Sequence, residues 1–179
     1  MALGQALDVH MLGESLFLAV VEHFAARSQP EYQDLPERRY LAQGDAASQA
    51  WDCEQFTVSL EGIAAGASED SPATSSRPGV PTSVAAVRRV ILMASLVRCA
   101  PTMGDDGTFP PLAELAAAGA TALRDAGLLS QAVVEWASQM RQNLGPSAAV
   151  IVGDVLPVGP EGAFAGLVCT AQVTATRLR

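Results

Sequence analysis

The sequence predicts an α+β fold: a mixed, mainly antiparallel sheet of about four to five strands, flanked by an N-terminal helix and by a long helix before a C-terminal hairpin. Three observations predict it. Apolar residues recur at helical spacing in two separate segments, one near the N-terminus and one after Pro111. Between these segments, side chains alternate with the period of a half-buried strand. The last thirty residues divide into two strand-like runs around a Gly-Pro-Glu-Gly turn. No internal repeat is evident and no segment is long enough to build a second core, so residues 1–179 read as one domain.

The first helix is predicted over Asp8 to Arg27. Leu12, Leu16, Val20 and Phe24, with Ala19 and His23, fall on one face. Asp8 is a suitable N-cap, and Pro30 ends the segment by removing a donor. Arg38 to Gln43 is a short strand. Cys53 to Gly62 alternates clearly, with Phe56, Val58 and Leu60 on one side and Gln55, Thr57, Ser59 and Glu61 on the other. Residues 66–83 read GASEDSPATSSRPGVPTS, a proline- and serine-rich composition that predicts a long mobile loop. Val84 to Cys99 is the most apolar stretch and fits either a strand or a helix. Its β-branched residues and the stop at Pro101 favour the strand.

A second helix is predicted over Leu112 to Asn143. Leu115, Gly119, Ala122, Ala126, Leu129, Val133, Trp136 and Met140 form its apolar stripe. Gly127 is placed to kink or divide it, and Gly145-Pro146 closes it. Ala149 to Val158 and Ala163 to Arg177 form the closing hairpin around a turn at Gly159 to Gly162. The second of these strands carries a polar face of Thr170, Gln172, Thr174 and Thr176, expected to be exposed or to meet a polar partner.

Composition bounds the function. The hydrophobic fraction is 49% and the charged fraction only 17%, below the usual quarter. A surface so poor in charge fits one that is partly covered by other protein, and equally fits an alanine-rich coding bias. The chain has no lysine, and its net charge is -8 with a pI near 4.6. No basic patch suits nucleic-acid phosphates. Arg38-Arg39 and Arg88-Arg89 are isolated pairs. An acidic surface would instead suit a channel through which DNA slides without sticking. Cys53, Cys99 and Cys169 are far apart and predict buried thiols in a reducing compartment. The N-terminus lacks a signal-peptide pattern. No apolar run of about 18 residues is free of polar breaks, so no membrane span is expected.

Chemistry is hard to place on this sequence. His10 and His23 are too far apart for one helical face to bind a metal, and both read as partly exposed structural histidines. Asp52-Cys53-Glu54 point alternately along a strand and make a poor chelate. No nucleophile elbow is present, and without lysine a phosphate-binding P-loop is impossible. Asp105-Asp106-Gly107 lacks the ligand alternation of a calcium loop and reads as an acidic turn. The expectation is a non-catalytic protein with no cofactor and no metal.

Certain strings then point to a family. Ala50 to Ile63 (AWDCEQFTVSLEGI), Val90 to Thr102 (VILMASLVRCAPT) and the Gly159 to Gly162 turn (GPEG) resemble small structural proteins of actinobacteriophages. In these, a strand opening on a pattern like Asp52-Cys53-Glu54-Gln55 precedes a long variable loop. A strand, an alanine-rich helix and a closing hairpin follow. The resemblance spans nearly the whole chain, and the lysine-free composition fits such a source. The family looks like the tail terminators, or the related head-to-tail connector subunits, of long-tailed phages. It implies a homo-oligomeric ring, a hexamer, that caps the tail tube and meets a connector or stopper protein. It also implies a virion location after synthesis in the bacterial cytoplasm, and genomic DNA that passes through unbound.

Two sets of residues follow as candidates. In the loop, Ser68, Glu69, Asp70, Arg77, Val80 and Thr82 would order against a neighbouring subunit or ring. Asp105 and Asp106 would line a DNA channel. Competing readings are a head-tail stopper or adaptor, a small cytoplasmic binding domain, an enzyme of unknown type, and a host regulator that binds protein partners.

Overall fold

The structure, a computed structural model, describes residues 8–29, 34–43, 54–66, 87–104, 106–146, 148–161 and 163–175. Helix α1 (Val9–Ala26) is followed by strands β1 (Arg39–Gln43), β2 (Gln55–Gly66) and β3 (Val87–Cys99). Helix α2 (Leu112–Leu144) leads into the hairpin β4 (Ala149–Glu161) and β5 (Phe164–Ala175). The five strands form one mixed sheet in the order β1-β2-β3-β5-β4. Only β1 and β2 are parallel; the other three pairings are antiparallel. The α+β class and the predicted element order hold.

Both helices pack on the same face of the sheet. Helix α1 lies against β1, β2 and β3, α2 lies against β4 and β5, and the helices touch each other. The Asp8 carboxylate accepts from the His10 amide at 3.0 Å, which satisfies one of the donors left over at the start of α1. Leu12, Leu16, Val20 and Phe24 are buried, as the spacing predicts. By length and hydropathy alone α1 would suffice to cross a membrane. Here its apolar stripe is occupied by the core, where Phe17 stacks on Phe56 with ring centroids 5.6 Å apart. Opposite the helices, alternate residues of the strands complete that core: Phe56 and Val58, Val90 to Leu96, and Leu167 to Ala175.

Several expectations need correction. Gln55, Thr57 and Ser59 are buried as fully as Phe56 and Val58. Hydrogen bonds offset the burial of two of them: Tyr40 Oη donates to Gln55 Oε1 at 2.9 Å, and Ser59 Oγ donates to Glu61 at 2.8 Å. Strand β2 runs past Gly62 to Gly66, because an irregularity between Leu60 and Gly62 resets its register on β3 instead of ending it. The hairpin reverses between the paired Glu161 and Phe164, not across Gly159 to Gly162. Gly159 takes a φ of 87° within a second irregularity of β4. Gly127 does not divide α2, which is continuous. Cys99 is exposed, and Cys169 alone of the two described thiols is buried. His23 is buried while His10 is exposed, so the two do not share one environment.

Candidate interaction surface

The position of α2 is fixed at two points. Near its middle, the Asp125 carboxylate takes two hydrogen bonds from Arg98 of β3, at 2.5 and 3.2 Å. Near its end, the Arg141 guanidinium donates twice to the Val150 carbonyl of β4. Arg98 pairs with Ala165 at one end of the sheet, while Val150 shares a row with Val173 and Val90 at the other. Sixteen residues of helix rise about 24 Å, close to the span of those strand rows. Residues before Asp125 therefore extend past the end of the sheet.

That extension is an arm of about three helical turns, roughly 18 Å long. From Leu112 to Leu123 no residue is buried, and only Ala118 and Thr121 are even half-covered. Leu112 is 85% exposed, Leu123 79%, and Phe109 just before the helix 83%. Glu114 is the one charged residue from Gly107 to Leu123. The sequence places Leu115, Gly119 and Ala122 in the buried stripe; the structure leaves all three exposed, because the sheet ends before they could reach it. A signal for this was present. The arm is apolar all round, whereas a helix lying on its own sheet needs an apolar stripe on one side only.

The sheet face opposite the helices is open only in part: register places Gln55, Thr57 and Ser59 of β2 and Ser95 of β3 on it, all buried, whereas its β4 side is exposed. Register and alternation place Ile91, Met93 and Val97 of β3 there, with Val168, Thr170 and Gln172 of β5 and Ile151, Leu156 and Val158 of β4. Ile151 and Leu156 are each 56% exposed. The polar face predicted for β5 is thus real at Thr170, Gln172 and Thr174, but apolar neighbours flank it. Gly166 lies between Val97 and Val158, beside a dimple of about 30 Å³ bordered also by Ser95, Phe164 and Val168. A Cβ there would come within 2.8 Å of the Leu96 carbonyl.

The sequence-predicted sites fare unevenly. Ser68, Glu69, Asp70, Arg77, Val80, Thr82 and Asp105 lie outside the described residues. Asp106 is exposed on the connection between β3 and α2. Its carboxylate accepts from the Thr108 hydroxyl and, at 3.0 Å, from the Thr108 amide, and these bonds hold its pKa below the ordinary value. Its charge is stabilised by its own turn.

Chemistry has few footholds elsewhere. Among the described residues no group of three or more His, Cys, Asp or Glu is placed to hold a metal. A cleft of about 270 Å³ opens beside α1, lined by Val21, Phe24, Ala25, Ser28, Asp34, Leu35 and Arg39. Its polar groups already serve one another: Ser28 Oγ donates to Asp34 at 2.5 Å, and Arg39 donates to the Pro36 and Leu35 carbonyls. His23 Nδ1 sits 3.1 Å from Glu135 Oε2, tying α1 to α2, while its buried Nε2 has no partner among the described residues. Burial, with a smaller contribution from Asp154, pushes the Cys169 thiol up to about 11, so it is protonated and unreactive at neutral pH.

No protein-family model matches the chain, and no curated protein matches it.

Proposed function

We propose that this chain is a non-catalytic structural subunit that works by assembly, of the tail-terminator type of long-tailed phages. In this reading, copies join into a ring that caps the tail tube, stops its polymerisation and presents a surface to the connector or stopper protein above. The observation that carries the assembly half is the exposed apolar surface of the α2 arm, whose one charge is Glu114, together with exposed Ile151, Leu156 and Val158 of β4, on a chain with 17% charged residues. Exposed apolar surface of this extent marks a contact with protein or membrane. The strings at Ala50 to Ile63 and Val90 to Thr102 support the phage half, as does the order of strand, alanine-rich helix and closing hairpin. The net charge of -8 suits a ring through which DNA moves without binding.

The test is deletion of the gene from the genome that encodes it, with electron microscopy of the particles and mass spectrometry of purified wild-type virions. The reading expects the chain in the virion, and overlong tail tubes beside unjoined heads in the deletion. Normal-length tails joined to heads in the deletion would overturn it. A chain present in the virion with tails of normal length left unjoined would favour a stopper or adaptor.

A further inference from the structure

We propose that Arg141 closes the free edge of the sheet: it caps an outward carbonyl of β4 that a strand from another chain would otherwise pair with.

β4 is the last strand in the order β1-β2-β3-β5-β4, so one side of it has no described strand beside it. The register shows which of its backbone groups face that side. Ala100 N donates to Ala163 O at 2.6 Å, in the row next to Cys99 and Phe164. Along an antiparallel ladder such bonded rows alternate with rows turned away. Odd-numbered residues of β5 therefore turn their amides and carbonyls to β3, and even-numbered ones turn theirs to β4. Val150 pairs with the odd-numbered Val173, so its own amide and carbonyl point to the free edge. The same holds for Val152, Val155 and Pro157.

A row of open donors and acceptors on a strand rich in valine is a template for another strand. Here each stretch carries an obstacle. At Pro157 the outward donor is missing, at no cost to the ladder, because the ring nitrogen faces away from β5. Irregularities between Val152 and Val155 and between Val158 and Glu161 break the register, and Asp154 sets an exposed charge in the first. That leaves Ala149 to Val152, AVIV, as the regular apolar stretch, with Ile151 56% exposed.

Arg141 stands at this stretch. Its Nε and Nη2 donate to the Val150 carbonyl at 3.1 and 2.6 Å. Two bonds to one oxygen use both of its lone pairs, so an approaching strand meets a guanidinium instead of an acceptor. Pairing there would break two charge-assisted hydrogen bonds and bury the cation. The contact that ties α2 to β4 thus also shuts the edge.

The experiment is sedimentation velocity on the full chain from about 5 to about 500 µM, a range that spans micromolar affinity. Amide hydrogen exchange, resolved by NMR, accompanies it. Arg141→Met keeps an unbranched side chain and removes the donors. It should associate at least about tenfold more strongly than wild type, and its Val152 amide should exchange more slowly as concentration rises. Adding Val152→Pro removes an outward donor and should return association to the wild-type level. Ser15→Ala, which weakens the fold elsewhere, should associate like wild type. In the wild type itself, the Val152 amide should exchange at least about tenfold faster than that of Ile151, which faces β5. This last measurement needs no variant to fold.

A folded Arg141→Met chain that associates no more than wild type overturns the proposal. So does association that Val152→Pro leaves intact, an equal gain in Ser15→Ala, or a wild-type Val152 amide as slow as that of Ile151. The phage reading rests on other surfaces and survives either result.

Discussion

Arg98 and Asp125 form a two-pronged ion pair, Nε to Oδ2 at 2.5 Å and Nη2 to Oδ1 at 3.2 Å, at the point where α2 meets the end of β3. Asp125 is 1% exposed. The same guanidinium reaches the Asp34 carbonyl at 3.0 Å and lies 3.6 Å from Glu54, whose other oxygen accepts from the Cys99 amide. The pair marks the boundary between the buried part of α2 and the projecting arm.

Replacing Asp125 by Ala should therefore cost about 3 kcal/mol, since it leaves a largely buried cation short of its main partner. Denaturant titration measures this. The double variant Arg98→Met with Asp125→Leu should recover much of the loss, because it removes both charges together. An Asp125→Ala chain as stable as wild type would refute the role given to the pair.

Among the described residues, Ser15 supplies the one polar contact of the most voluminous buried side chain. Trp136 Nε1 donates to Ser15 Oγ at 2.9 Å, and that hydroxyl donates to the Leu12 carbonyl. Ser15→Ala strands the indole N–H and should destabilise the fold by about 1–3 kcal/mol. Ser15→Thr, which retains a hydroxyl, should lose less. Equal losses for the two would show that volume, not the hydrogen bond, decides.

Cys169 should resist thiol reagents at pH 8 in the folded chain and react once the chain is unfolded, while exposed Cys99 reacts in both states. Its folded pKa is raised, so between the ordinary thiol value and about 11 the folded state holds the proton more tightly than the unfolded one. The stability this provides is complete below the unfolded pKa and is lost as pH rises through the folded one. Stability measured from pH 8 to pH 11 should accordingly fall for wild type and fall less for Cys169→Ala.

Gly166 and Leu112 should behave oppositely. Gly166→Ala puts a Cβ against the Leu96 backbone carbonyl, which cannot move aside as a side-chain tip would, and should cost about 2 kcal/mol. Leu112→Gln changes an 85% exposed side chain and should alter the stability of the isolated subunit by no more than about 0.5 kcal/mol. Melting of the subunit at low concentration tests both.

Most of the fold was legible because periodicity is local. The spacing of Leu12, Leu16, Val20 and Phe24 gave α1 and its buried side. The consecutive apolar residues at Val90 to Met93 fitted a strand, and Val90 and Leu92 prove buried while Ile91 and Met93 face the opposite, half-covered side. Irregularities were harder. A glycine in a strand-like run predicts a turn or a register shift equally well, so Gly62 and Gly159 were placed at the ends of strands that continue through them.

The candidate site was less legible. The sequence directed attention to the loop at 66–83, of which Gly66 ends β2 and residues 67–83 lie outside the described residues, and to Asp106, whose carboxylate bonds within its own turn.

What the sequence determined by itself is the α+β class, the order of elements and the side each helix turns inward, because each depends on residues a few positions apart. Only the tertiary structure decided that Gln55, Thr57 and Ser59 are buried, that Arg98 finds Asp125, and that the first three turns of α2 stand clear of the sheet. An apolar stripe states that a surface needs cover. Whether the same chain supplies that cover depends on where the sheet ends, and that is fixed by strand pairings between residues far apart in sequence.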